Sequence, residues 1–297
     1  VMLLICIVRA CTLDGAVNGL KYMFVPGWAV ANGVIDKAPD FLTVLATAGG
    51  QMFFSLSLGM GAMITYGSYL QKKENLQKNA ILIIVMDTLV ALMAGLCVIP
   101  GRFALDPDGT LGGPKLLFIT MQNVFSRMGG LGPIFGILFY LLVVFAAVSS
   151  SISLLEVIVA HFVDKARDAG KGDKRKTYTL IAAACVGLGC ILVCADALGS
   201  TGFAPGNLLG MTGELPTWAA DWLDFWDMLS EGIMMPLGAL LMSLMIGWEI
   251  GPEVVKGECE QSGHAMSGYG FFKICVKFIT PLCMILILYG QIKEFFF

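Results

Sequence analysis

Apolar residues run along this chain in long, unbroken stretches rather than alternating with polar ones. From Phe41 to Leu70 there is no charged residue, and Ala80 to Ile99 contains only Asp87. Both runs reach the roughly 20 residues needed to cross a hydrocarbon core. Further apolar runs cover residues 131–163, 178–198, 228–248 and 270–290. Backbone groups in lipid have no water to pair with, so a spanning segment is a helix or a strand of a closed barrel, and continuous rather than alternating apolarity predicts helices. The expected fold class is all-α, a polytopic membrane protein with residues 1–297 in a single transmembrane domain.

Composition agrees with this reading. Hydrophobic residues make up 57% of the chain and charged residues 14%, against about a quarter charged in an ordinary soluble domain. The net charge of −3 adds little, because topology follows Lys and Arg in short loops. Lys72, Lys73 and Lys78 follow the 41–70 run. Lys165, Arg167, Lys171, Lys174, Arg175 and Lys176 follow the 131–163 run, and Lys256 and Lys273 flank the last connection. These sides are expected to be cytoplasmic. The intervening loops agree, since 101–114 has one arginine and two aspartates and 199–227 has no Lys or Arg.

The nine cysteines contain no CxxC pair, and the two histidines, His161 and His264, are isolated. Neither a zinc site nor a disulfide framework is signalled. The opening stretch VMLLICIVRACTLDG is too short to span and lacks the basic start and small-residue cleavage site of a signal peptide. It reads as the second half of a severed helix, so the chain is expected to be a C-terminal piece of a longer protein and to be incomplete alone.

Three features carry candidate chemistry. The stretch FFSLSLGMGAMITYGSYL places Gly59 and Gly61 near the centre of a membrane run, between Ser55 and Ser57 on one side and Thr65 on the other. Each glycine costs a helix about 1 kcal/mol relative to alanine. Close helix packing through small residues is one explanation. A discontinuous helix, whose unwound midpoint frees carbonyls for a cation and an amine, is the other. Asp87 lies in the middle third of the next run, where an uncompensated carboxylate costs on the order of 3 kcal/mol, and it calls for a cation or a proton. The stretch FAAVSSSISLLE sets Ala146, Ser149, Ser150 and Ser153 within one arc of about 100° at helical spacing, with Glu156 beside it. Hydroxyls next to a carbonyl one turn earlier make an oxygen nest suited to a small alkali cation, or equally a serine-lined helix interface.

At these residues the sequence resembles the neurotransmitter:sodium symporters, and most closely their bacterial amino-acid transporters. GGQMFFSLSLGMGAMITYGSYL looks like the family's sixth helix, VMDTLVALMAGLCVIP like the seventh, FAAVSSSISLLEVIVA like the eighth and MMPLGALLMSLMIGW like the tenth. The resemblance covers essentially the whole chain and implies a partial LeuT-like inverted-repeat transporter fold, from the end of helix five (residues 1–13) through helix eleven. It also implies outer-loop helices over 114–129.

Residue by residue, the resemblance implies roles. Phe54 looks like the aromatic lid over the substrate. The carbonyls of Phe54 and Ser55, with the Ser57 hydroxyl, look like the amine-binding group. Met60 stands where the pocket wall is often phenylalanine, and Ser150 and Leu154 resemble the opposite wall. Ser55 and Asp87 match the first sodium site. Ala146, by its carbonyl, with Ser149 and Ser150, matches the second. Asp227 resembles the acidic half of the outer gate, while Asp224 precedes the dipeptide FW that follows the gate acid in one well-known member. Ala91 stands where chloride-dependent members have serine and some chloride-independent ones glutamate, so chloride is not expected.

The implied activity is sodium-coupled symport of an amino acid, hydrophobic by the Met60 and Leu154 wall, across the cell membrane (the inner one if bacterial), with no enzymatic chemistry. The expected partners are the amino acid, sodium ions, the lipid bilayer and N-terminal helices of the same protein, and not nucleic acid. An ion channel or pore subunit would also want hydroxyls and an acid within the membrane. An inactive structural fragment is the third class.

Overall fold

The computed structural model describes residues 2–105, 113, 116–172, 174–213, 215–261 and 263–296. The chain begins with α1 (Met2–Cys11), α2 (Ala16–Phe24), α3 (Trp28–Ala31), α4 (Phe41–Ser55), α5 (Ala62–Tyr69) and α6 (Leu76–Leu105). A π-helical turn, Leu116–Thr120, leads into α7 (Met121–Ser126), followed by α8 (Gly132–Asp168) and α9 (Arg175–Asp196). The outer connection carries α10 (Pro205–Leu208), α11 (Thr217–Ala220) and α12 (Trp222–Asp227). The remaining helices are α13 (Met235–Leu244), α14 (Pro252–Glu260), α15 (Tyr269–Ile274) and α16 (Thr280–Phe296). No strand occurs among the described residues, so the all-α class inferred from the apolar runs is the observed one.

Among the described residues, five helices are long and apolar enough to cross a membrane: Leu76–Leu105, Gly129–Asp168, Arg175–Asp196, Trp222–Ile250 and Tyr269–Phe296. Four of them run past the apolar stretch that announces them at both ends, because the adjoining polar turns continue the helix, whereas Arg175–Asp196 stops two residues short of 198, where Ala197 and Leu198 turn to left-handed φ. The expected outer-loop helices are short, and their expected start at residue 114 lies outside the described residues. Apolar structure continues beyond α1. Gly15 takes a left-handed φ of 90°, and the chain turns by 108° into α2.

Proline explains much of the irregularity in the last two spans. Pro236 and Pro281 lack an N–H and crowd the carbonyl four residues earlier. Each follows a widened π-helical stretch, Met228–Met234 and Cys275–Ile279, which relieves that crowding.

The chain forms two compact units. The first comprises Val1–Pro39 and Leu82–Ser150. Its core gathers Cys6, Cys97, Met121, Phe125 and Phe139, and Gly19 lets α2 lie directly on the backbone at Pro100. The second comprises Asp40–Ile81 and Ser151–Phe297. There α4 lies along α16 through small residues. A Cβ on Gly290 would run into that of Ala46, one on Gly49 into Ile287, and one on Gly50 into the Gln291 amide. Gln291 is 6% exposed and donates to the Ala46 carbonyl at 2.8 Å. Small residues that admit a neighbouring backbone, joined by a polar side chain, are the usual means of helix association where water supplies no hydrophobic drive. Large apolar side chains such as Leu180 on α9 and Phe271 on α15, both 72% exposed, face outward, as lipid contact requires.

Candidate functional site

In the second unit, α4 is capped by Asp40, whose carboxylate accepts from the backbone N–H and the hydroxyl of Thr43. The helix carries Phe53, Phe54 and Ser55 in its last turn and then stops. Leu56 N–H still reaches Met52 O at 3.1 Å, but Ser57 N–H turns to Phe54 O at 3.1 Å and Leu58 N–H to Phe53 O at 2.9 Å. Ser57 adopts a left-handed φ of 53°, Gly59 one of 76° and Gly61 one of 85°. Helix resumes at Ala62, where the Gly61 carbonyl accepts from Thr65 N–H at 3.0 Å and from the Thr65 hydroxyl at 3.3 Å. Residues 56–61 therefore run as non-helical backbone between two helices, α4 and α5, of one apolar run. Non-helical backbone at membrane depth persists only where it is buried in protein or lines a cavity.

The interruption is backed by α13. A Cβ on Gly59 would collide with the Met235 carbonyl oxygen, and one on Gly238 would collide with the Gly59 carbonyl oxygen. Met235 is the first residue after the π-helical stretch. Phe53 turns inward, 4% exposed, into a cluster with Met235 and Ile287 on which Met60 packs. Its neighbour Phe54 points the other way, 53% exposed. Ser55 is exposed and Ser57 and Met60 are half-buried. Leu154, on α8, is exposed.

Met60 also lines a crevice of about 680 Å³ with Gly61, Thr65, Tyr69, His161 and Arg175. Two of these lining residues, Tyr69 and Arg175, meet in a polar constellation around Glu156. The Tyr69 hydroxyl donates to Glu156 Oε1 at 2.5 Å, and Arg175 pairs with Glu156 Oε2 at 2.5 Å. Glu156 is visible in the sequence beside the serine arc and Arg175 within the basic cluster. Nothing in their spacing shows that α5, α8 and α9 bring them together.

Asp227 closes α12, exposed to solvent. Asp224, one turn earlier, is half-buried, and its N–H is capped by Asp221 at 2.7 Å. The start of that helix is held by Asp196, 1% exposed at the end of α9, which accepts from Trp222 N–H at 2.9 Å and Gly199 N–H at 3.3 Å.

Asp87, Ala146, Ser149 and Ser150 belong to the first unit. Asp87 is half-buried on α6, and the neighbouring Thr88 hydroxyl bonds back to Ile84 O at 2.9 Å. On α8 the Ser149 hydroxyl donates to the Ala146 carbonyl at 2.8 Å. These two oxygens thus already adjoin, and each retains a lone pair for a further partner. Ala146, Ser149 and Ser150 are all exposed.

Comparison with known proteins decides the family. The model of the sodium:neurotransmitter symporter family matches residues 1–204. The chain belongs to this family. It is 31% identical over 296 residues to the uncharacterized sodium-dependent transporter YhdH of Bacillus subtilis, an alignment covering 96% of this chain and 57% of the relative. The sodium-dependent nutrient amino acid transporter 1 of Drosophila erecta is 26% identical over 298 residues, 97% of this chain and 41% of the relative. Among solved structures, that of MhsT in complex with L-phenylalanine superposes with a TM-score of 0.76 at 30% identity, covering 98% of this chain and 59% of that one. The chain thus spans about half the length of the curated relatives it matches. Family and apolar spans together make it an integral, multi-pass membrane protein. A symporter family is one of carriers, not enzymes.

Proposed function

We propose that the protein acts as a sodium-coupled symporter of an amino acid in the cell membrane, working by alternating access, with a hydrophobic substrate and no requirement for chloride. The observation that carries this reading is the stretch of non-helical backbone at residues 56–61, preceded by Ser55, containing Ser57 and supported from behind by α13, in a chain of a sodium symporter family. Unwound backbone at membrane depth offers carbonyl oxygens for a cation and for an ammonium group. The names of the relatives support the coupling ion, and the amino acid bound to MhsT supports the substrate class.

In this reading Phe54 covers the substrate. Its carbonyl, that of Ser55 and the Ser57 hydroxyl hold the amine, while Met60, Ser150 and Leu154 contact the side chain. Ser55 and Asp87 supply oxygens to one sodium ion. The Ala146 carbonyl and the Ser149 and Ser150 hydroxyls supply oxygens to another. Asp227 serves the outer gate. The carboxylate of Asp87 balances the sodium charge that an anion would otherwise balance, which removes the need for chloride.

The test is uptake of radiolabelled leucine, phenylalanine and alanine into proteoliposomes containing the intact protein, with an inward sodium gradient set against potassium. Saturable uptake that requires sodium and persists in gluconate is expected. Conductance that rises without saturation would make the protein a channel instead.

A further inference from the structure

Cys6 on α1 and Cys97 on α6 come from distant parts of the sequence and meet in the core of the first unit. Cys6 is 0% exposed and Cys97 1%, their side chains lie within hydrogen-bond reach of one another, and Met121, Phe125 and Phe139 wall them in. The other cysteines are placed differently. Cys11 directs its thiol to the Leu96 carbonyl at 3.9 Å, while Cys185, Cys190 and Cys194 lie exposed along α9. Both members of the buried pair sit close to the ends of their helices, Cys6 little more than a turn before the close of α1 and Cys97 two turns before that of α6. The loop that follows α6 is the side the Lys and Arg pattern assigns to the outside, where dithiols are oxidised rather than kept reduced.

We propose that Cys6 and Cys97 form an oxidisable dithiol, which a small neutral two-electron oxidant of the peroxide class closes into a disulfide between α1 and α6. One sulfur attacks a peroxide oxygen, the O–O bond breaks, and a sulfenic acid and one water result. The second sulfur then attacks the sulfenic sulfur, the S–O bond breaks, and a second water leaves. Two thiols lose two electrons and two protons, and one peroxide becomes two waters. The apolar walls make this pair slow to react with charged or bulky reagents, so only a small neutral oxidant reaches it, and what sets the pair apart from the exposed cysteines is that each sulfur has the other within reach to resolve the sulfenic acid. Once closed, the bond prevents α1 from sliding against α6.

The experiment treats the intact protein in membranes with hydrogen peroxide, blocks remaining thiols with N-ethylmaleimide in detergent, and maps peptides without reduction. A linked peptide pair containing Cys6 and Cys97, lighter by two hydrogens and cleaved by dithiothreitol, is expected. The apparent melting temperature should rise on oxidation and fall back on reduction, since a cross-link restricts the unfolded chain. Cys6→Ala and Cys97→Ala should each abolish the linked peptide and the shift. Recovery of both cysteines as maleimide adducts after peroxide treatment, or a link from Cys97 to Cys11 instead, would overturn the proposal. The mapping of the unmodified protein decides the matter even if a variant fails to fold.

Discussion

Gly59 and Gly238 meet backbone to backbone: neither position has room for a Cβ, because each would strike a main-chain carbonyl of the opposing segment. In an ordinary helix interior Gly→Ala gains up to about 1 kcal/mol. At Gly238 that gain is outweighed by forcing the helix away from residues 56–61, an overpacking cost of about 1–3 kcal/mol. Gly238→Ala is therefore expected to lower the melting temperature of the intact protein and to impair uptake. Gly257→Ala on α14, where a Cβ would meet nothing within 4 Å, should be neutral or stabilising. Thermal unfolding of both variants in detergent checks the pair, and equal behaviour would remove the clash from the account.

The helical, many-span architecture was legible in the sequence, because uninterrupted apolarity at these lengths leaves the backbone few alternatives to helix. Gly59 and Gly61 marked where helix gives way, since both take φ values that favour glycine. Relations within one helix were legible too: Ser149 reaches the Ala146 carbonyl because they stand three residues apart. What depends on which helices become neighbours was not. The approach of α13 to Gly59, the joining of Tyr69 and Arg175 through Glu156, and the encounter of Cys6 with Cys97 are long-range contacts that no local spacing encodes. The bend after α1 lay in a segment whose apolar pattern is shared by any short helix, so α2 went unanticipated.

Ser57 carries a strained backbone as well as a candidate amine ligand. A non-glycine residue at a left-handed φ of 53° costs roughly 1–2 kcal/mol. Ser57→Gly and Ser57→Ala both remove the hydroxyl, but only the first relieves the strain. The glycine variant should be more stable than the alanine variant by about 1 kcal/mol in thermal unfolding, while both lose substrate affinity. If Ser57→Ala transports with unchanged KM, the hydroxyl has no part in binding.

Met60 packs against the Phe53–Met235–Ile287 cluster and also faces the crevice. Its unbranched side chain can repack around substrates of different size, which a fixed ring cannot do. Met60→Phe is expected to shift preference toward smaller aliphatic amino acids, measured by competition of tryptophan, leucine and alanine against labelled substrate. Identical competition profiles for the two proteins would separate Met60 from substrate selection.

Glu253, outside the spans on α14, lies 2.8 Å from Lys273. The hydrogen bond from that ammonium, aided by a backbone N–H, holds its carboxyl at about 2, against an ordinary value of 4.5. A carboxyl depressed in the folded state adds stability that is present above 4.5 and lost as pH falls through the interval down to about 2. The melting temperature of the protein should therefore exceed that of Glu253→Gln at pH 6, above the ordinary value of 4.5, and converge on it only as the pH falls to about 2. Because the pair is open to water, high salt should shrink the difference. A gap that widens on acidification would contradict the assignment.

In the proposed function Asp87 bears on the ions rather than the substrate. A sodium ion and a carboxylate about 4 Å apart attract by roughly 4 kcal/mol at an effective dielectric near 20, and desolvation returns part of this. An aspartate ligand thus does for the cation what a nearby anion would otherwise do, and Ala91, one turn further along α6, offers no hydroxyl to hold chloride. Uptake by the intact protein should be the same in gluconate as in chloride. Asp87→Asn keeps the shape but removes the charge, and should raise the sodium concentration needed for half-maximal uptake about tenfold, equivalent to about 1.4 kcal/mol, or else make uptake sensitive to chloride. Sodium titrations of uptake in both anions, for both proteins, distinguish the cases. Loss of transport on removing chloride from the unmodified protein, or an unaltered sodium titration in Asp87→Asn, would show that the charge is balanced elsewhere.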